Sequence, residues 1–120
     1  MSAPTPGYLN SDEKTWALLA HFGGIVVGFI AGLVALLVKG SESATVRAHA
    51  IEALNFQITW GIAIAVSWVV AVCAGIVGLQ FLFILPLGAW AVLIIFSVMA
   101  GLKANEGQLY KYPASLHLVK

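Results

Sequence analysis

The chain has 120 residues, 61% of them hydrophobic and only 9% charged, whereas a soluble domain is about a quarter charged; a water-soluble globular fold is excluded. A net charge of +1 leaves no electrostatic footprint for nucleic acid or an acidic substrate, and the length allows one compact domain. The lone cysteine, Cys73, lies in an apolar run, which rules out an intramolecular disulfide and a cysteine-based metal cluster.

Residues 1–10 combine two prolines and a glycine with small polar residues and read as a flexible N-terminal tail. The single transmembrane domain covers 11–120. Ser11 is the expected N-cap of a helix whose first turn carries Asp12 and Glu13 against the positive end of the helix dipole. The first apolar run, Thr15 to Val38, would be about 36 Å long as one helix, enough to cross a hydrocarbon core of roughly 30 Å. It is too long, and too acidic in its approach, for a cleaved signal. Gly23-Gly24 is the alternative break point, turning this run into a re-entrant pair. Lys39 and Gly40 end the run, and Ser43 caps the next helix.

That helix starts near Ala44, lies in the interface past Arg47, His49 and Glu52, and descends as a second span over about 53–79. Gly78-Leu79-Gln80 makes a tight uncharged turn into a third span over about 81–104, with Pro86 in its first turns. Residues 105–120 form an interfacial tail with Tyr110 and Tyr112 at headgroup depth. The expected fold is therefore an all-α integral membrane bundle of three transmembrane helices with an interfacial helical approach to the second. Lys39, Arg47, Lys103, Lys111 and Lys120 then share one side against Lys14, which puts the N-terminus out and the C-terminus in the cytoplasm of a bacterial plasma membrane protein.

Gly24, Gly28 and Gly32 recur every four residues and share a helix face with His21, a glycine zipper that lets another helix approach closely. Ser97 and Gly101 repeat the pattern on the third span. On the second helix, His49, Glu52, Asn55 and Thr59 form one stripe, polar where it enters the membrane and apolar deeper, which must face protein because lipid satisfies no donor or acceptor. It reads as a polar clamp between helices, with His49 and Glu52 paired across one turn and Asn55 reaching a neighbouring span. Arg47 and Gln57 fall on the opposite side. No HExxH or cysteine-pair spacing supports a metal, and no catalytic or cofactor motif is present.

Asp12 to His21, His49 to Gln57, and Lys103 to Gly107 with Tyr110 and Tyr112-Pro113 together resemble the Tic-like family of small bacterial membrane proteins, a domain of unknown function named for a chloroplast protein-import component. That resemblance implies a transport-associated role and carries no catalytic residues. The residues lead to a non-enzymatic accessory or packing component of a membrane assembly, with the lipid bilayer, further copies or other membrane proteins as partners and no cofactor. The alternative is a small oligomeric channel conducting protons or cations through His21, His49 and Glu52.

Overall fold

The computed structural model describes residues 7–120; the first part of the expected flexible tail, residues 1–6, lies outside the described residues. Four helices follow one another: α1 (Ser11–Val27), α2 (Phe29–Lys39), α3 (Ala44–Ile76) and α4 (Ile84–Asn105), with a 3-10 turn at Gln80–Phe83 leading into α4. The cap of α1 is Asn10, one residue before the expected Ser11: its Oδ1 accepts the Glu13 N–H at 2.9 Å. Glu13 in turn accepts the Leu9 N–H at 2.7 Å. The Asn10 bond satisfies a backbone donor that the first helical turn leaves free, and the Glu13 bond ties down the residue before the cap.

The first apolar run is not one helix. At Gly28 the backbone takes φ +64°, a left-handed conformation that a side chain would strain, and the chain doubles back. Asp12, at the start of α1, meets Lys39, at the end of α2, with Nζ 2.8 Å from Oδ2. The break thus falls at Gly28 and not at Gly23-Gly24, although Gly23 does serve the hairpin: a Cβ there would stand 2.8 Å from the Ala31 Cβ. Because α2 has only 11 residues, roughly 16 Å of helix, it cannot cross a bilayer alone.

Two helices, Ala44–Ile76 and the segment Gln80–Asn105, are long and apolar enough to cross a membrane. Only 6% and 17% of their most apolar stretches are buried inside the protein, so they are not the core helices of a soluble domain. Three spans with opposed ends are therefore not what the helices build: the segment before α1 and the C-terminal tail lie at the same end of the bundle. Tyr8, buried and not part of a loose tail, donates its hydroxyl to the Ala104 carbonyl at 2.7 Å, and Arg47 donates to the Lys120 carbonyl at 3.1 Å.

Small residues make the close packing possible. Ala20, Ala35, Val46, Ala50 and Ala53 form one core cluster between α1, α2 and α3. Gly32 lies so close to α3 that a Cβ would be 3.1 Å from the Leu54 nitrogen and 3.2 Å from the Ala50 carbonyl oxygen. Gly24 abuts the Gln57 side chain, and Gly101 receives the Phe22 ring. Gly24, Gly28 and Gly32 do not form a continuous zipper, because the turn at Gly28 puts the outer two on different helices, both facing α3. A second cluster joins Phe56 of α3 to Leu93 and Ala100 of α4 and to Tyr112. Beyond Gly61 the α1–α2 hairpin has ended, and α3 continues with α4 alone, exposing Ile62, Val66, Val69 and Ile76.

Candidate functional site

The buried polar side chains among the described residues collect at the end where α1 begins and the C-terminal tail crosses α3. Asn10, Ser43 and Glu13 start the assembly: Ser43 caps α3 by accepting the Val46 N–H at 3.1 Å, and its hydroxyl donates to Glu13 of α1. One carboxylate thereby ties the first turns of two helices together. Deeper, His21 of α1 and His49 of α3 face each other edge to face, with His21 Nε2 3.0 Å from His49 Nδ1. His21 Nδ1 lies 2.7 Å from the Tyr112 hydroxyl, and His49 Nε2 lies 3.4 Å from the Tyr8 hydroxyl.

The proton positions along this row follow from one fixed end. Tyr8 has a single hydroxyl hydrogen, committed to the Ala104 carbonyl, so its oxygen accepts from His49 Nε2–H. His49 Nδ1 is then the bare nitrogen of a neutral ring and accepts from His21 Nε2–H. His21 Nδ1 is bare in its turn and accepts from the Tyr112 hydroxyl. Beside the row, Gln57 Nε2 donates to Ser97 Oγ at 2.9 Å. Every bond within the row points the same way, an arrangement in which each polarises the next. The row links α3, α4, the C-terminal tail, α1 and the segment before α1.

Tyr8 and Tyr112 are held neutral. Burial, and secondarily the Glu13 carboxylate, pushes the Tyr8 phenol up to about 12. Burial likewise pushes Tyr112 well above the ordinary phenol range, with Tyr110 and Glu52 adding to the effect and the Ser97 hydroxyl opposing it.

The stripe on α3 is occupied by the C-terminal tail. Glu52 Oε1 accepts the Tyr112 N–H at 3.2 Å, Thr59 Oγ1 accepts the Leu116 N–H at 3.0 Å, and Trp60 Nε1 donates to the Ala114 carbonyl at 3.1 Å. Asn55 takes both backbone groups of Val119, accepting its N–H at 2.7 Å and donating to its carbonyl at 3.0 Å. Tyr112 stacks on Phe56 with ring centroids 4.1 Å apart. These contacts read main chain, so the tail is bound as an extended strap.

The six expected packing residues and the four of the stripe thus separate into groups. His21 and His49 share the hydrogen-bonded row, Ser97 takes the Gln57 amide, and Glu52, Asn55 and Thr59 hold the tail. His49 does not pair with Glu52, because each has a partner from another segment. Gly24, Gly32 and Gly101 admit neighbouring side chains or backbone, and Gly28 makes the turn. The sequence reading missed Gln57, expected to face away from the bundle: it is buried, and its Oε1 has no hydrogen-bond partner. An amide inside an apolar run was itself a signal that the side chain turns inward. Tyr8 was also missed, and Tyr112, expected as an interfacial anchor, is a core residue. Among the described residues no three His, Cys, Asp or Glu side chains converge on a point where a metal ion would sit.

The resemblance to the Tic-like import family is overturned by the family model that matches the chain, and protein transport loses its support with it. No curated protein and no solved structure matches. Over residues 12–119, from the first turn of α1 to the last residues of the strap, the match is to MamF_MmsF, and the chain belongs to this magnetosome magnetite crystal formation protein family.

Proposed function

We propose that the chain is a non-enzymatic, multi-pass component of the magnetosome membrane that supports magnetite crystal formation by packing within a membrane assembly. The observation that carries this reading is where the charge lies. All six basic and all five acidic side chains stand at the end where α1 begins, α2 and α4 finish, and the tail crosses α3. The opposite turn, Val77 to Phe83, has Gln80 as its one polar side chain.

Basic residues favour the cytoplasmic side, so both termini are cytoplasmic and the lumenal turn carries no charge with which to hold iron or a mineral face. A role inside the vesicle through charged contacts has no residues to perform it. The imidazoles and phenols at the charged end are engaged with one another, as expected of a joint. Conduction has less support, because no Asp, Glu, Lys, Arg or His occurs between Glu52 and Lys103, and a relay across the bilayer needs such groups at depth.

The test is deletion and complementation in a magnetosome-forming bacterium, with crystal size and number read by electron microscopy. Deletion should give smaller or fewer crystals, restored by the wild-type chain and by Gln80→Ala but not by a chain carrying His21→Phe with Tyr112→Phe. Crystals indistinguishable from wild type after deletion would remove the proposal.

A further inference from the structure

The helices divide unevenly between the two halves of the bilayer. Interface level at the charged end is marked by Asp12, Lys39 and Lys103, and the Asp12–Lys39 pair fixes both feet of the hairpin there. From Thr15 to the turn at Gly28, α1 descends about 20 Å, a little past the middle of a roughly 30 Å core. From Lys103 back to Ile84, α4 descends about 29 Å and so crosses it completely. The near leaflet therefore holds four helices, with the strap lying against α3, while the far leaflet holds two.

The hairpin is embedded and does not rest on the surface. From Leu18 to Val38 its exposed side chains, among them Leu19, Val26, Phe29, Ile30, Val34 and Leu37, are all apolar, while its charges sit only at its feet. With about 10 Å per helix diameter, each helix occupies on the order of 80 Å² of membrane plane, so the near half is wider by on the order of 160 Å². We infer that the chain is a wedge, broad at the charged end, that prefers a leaflet under outward curvature. The occupant of its outer surface is the lipid bilayer itself.

The preference is steric. Six basic side chains stand among five acidic ones at the broad end, leaving little net charge to draw anionic headgroups together, so salt should not weaken it. The inference goes beyond the proposed role in crystal formation and does not depend on it; it requires only that the hairpin enter the near leaflet and turn back. In a vesicle bounded by this membrane, a cytoplasmic charged end puts the broad half in the outer, stretched leaflet.

The experiment uses the full chain, fluorescently labelled and reconstituted in giant vesicles of neutral phosphatidylcholine, from which membrane tubes of decreasing radius are drawn. A proteolytic or quenching step distinguishes copies whose charged end faces outward from those facing inward. Outward-facing copies should have a tube-to-vesicle density ratio above unity that rises as the tube narrows and persists at high salt, and inward-facing copies a ratio below unity. Equal densities in both orientations, the opposite bias, or a bias abolished by salt would each overturn the wedge. The comparison is made within wild-type protein, so it needs no variant to fold, and its failure would leave the crystal phenotype untouched.

Discussion

Cutting the hydrogen-bonded row at the bond between Tyr112 and His21 measures what that bond contributes. His21 is fully buried and Tyr112 is 6% exposed, so neither finds water when its partner goes. Tyr112→Phe keeps the stack on Phe56 but leaves His21 Nδ1 without a donor; leaving one buried acceptor unsatisfied costs about 1–3 kcal/mol. His21→Phe leaves both the Tyr112 hydroxyl and His49 Nδ1 unpaired and should cost more. The double variant loses the bond only once, so the two changes must be non-additive. Hydrogen bonds between membrane helices couple by about 0.6 kcal/mol on average and up to about 1.7. A 2.7 Å bond in a row where each member polarises the next belongs in the upper part of that range, about 1–1.5 kcal/mol. Reversible unfolding of the four species in mixed detergent micelles, followed by tryptophan fluorescence, gives the coupling. A value below about 0.3 kcal/mol, the scatter of independent sites, would refute the bond. Nitrogen NMR of the two imidazoles checks the direction separately: both rings should carry their proton on Nε2, and a proton on Nδ1 of either would reverse the row.

Gly32→Leu should separate α2 from α3, because the neighbours of its Cβ are backbone atoms that do not yield, at about 1–3 kcal/mol for overpacking; Gly61→Ala, whose Cβ meets nothing, is the matched control in the same unfolding assay. Asn55→Ala removes both bonds to Val119 and should make cleavage after Lys111 by trypsin faster than in wild type, and an unchanged rate would mean the strap is held elsewhere. The Tyr8 phenol, raised in the folded chain from 10.0 to about 12, contributes stability that is fully present below pH 10 and lost as the pH rises through about 12. Ultraviolet detection of tyrosinate should therefore show Tyr8, compared with Tyr8→Phe, ionising late and together with release of the segment before α1. After Cys73 is replaced by Ala, single cysteines at positions 9 and 116 should label from one side of sealed vesicles and one at position 80 from the other; labelling of 9 and 116 from opposite sides would restore three spans.

The helices were legible in the sequence because apolar length and capping are local. The tight turn at Gly78 and the start of α3 after Ser43 fall where turn and cap chemistry put them. The hairpin was not, for a physical reason: Thr15 to Val38 contains Gly23, Gly24, Gly28 and Gly32, each able to break the helix, and the choice among them is made by packing on α3. The pairing of Asp12 with Lys39 was nonetheless latent. In a straight span these two charges stand at opposite membrane faces, whereas a hairpin lets them meet. The α3 stripe was visible as a stripe, but its occupant was not, since Glu52, Asn55, Thr59 and Trp60 bind backbone and backbone leaves no mark in the sequence of the tail. Gln57 was misplaced by helical angle alone: with α1 on one side of α3 and the strap on another, a residue off the stripe is still inside.

The division between the two halves explains how so apolar a chain has one structure. Where α3 and α4 run alone, lipid tails are as apolar as the side chains and supply no hydrophobic drive for the helices to pair. Order there must be transmitted from the charged end. That end has the devices to fix it: a carboxylate joining two helix starts, a one-way row through five segments, and a strap bonded to α3 at five side chains. Polar groups cluster there because water is near enough to hydrate them before the bundle closes, and once enclosed each broken partner is costly. Substitutions at the charged end should consequently loosen the Val77–Phe83 turn as well, whereas apolar exchanges near Ile76 or Phe81, whose side chains are exposed, should leave the row of histidines and tyrosines intact.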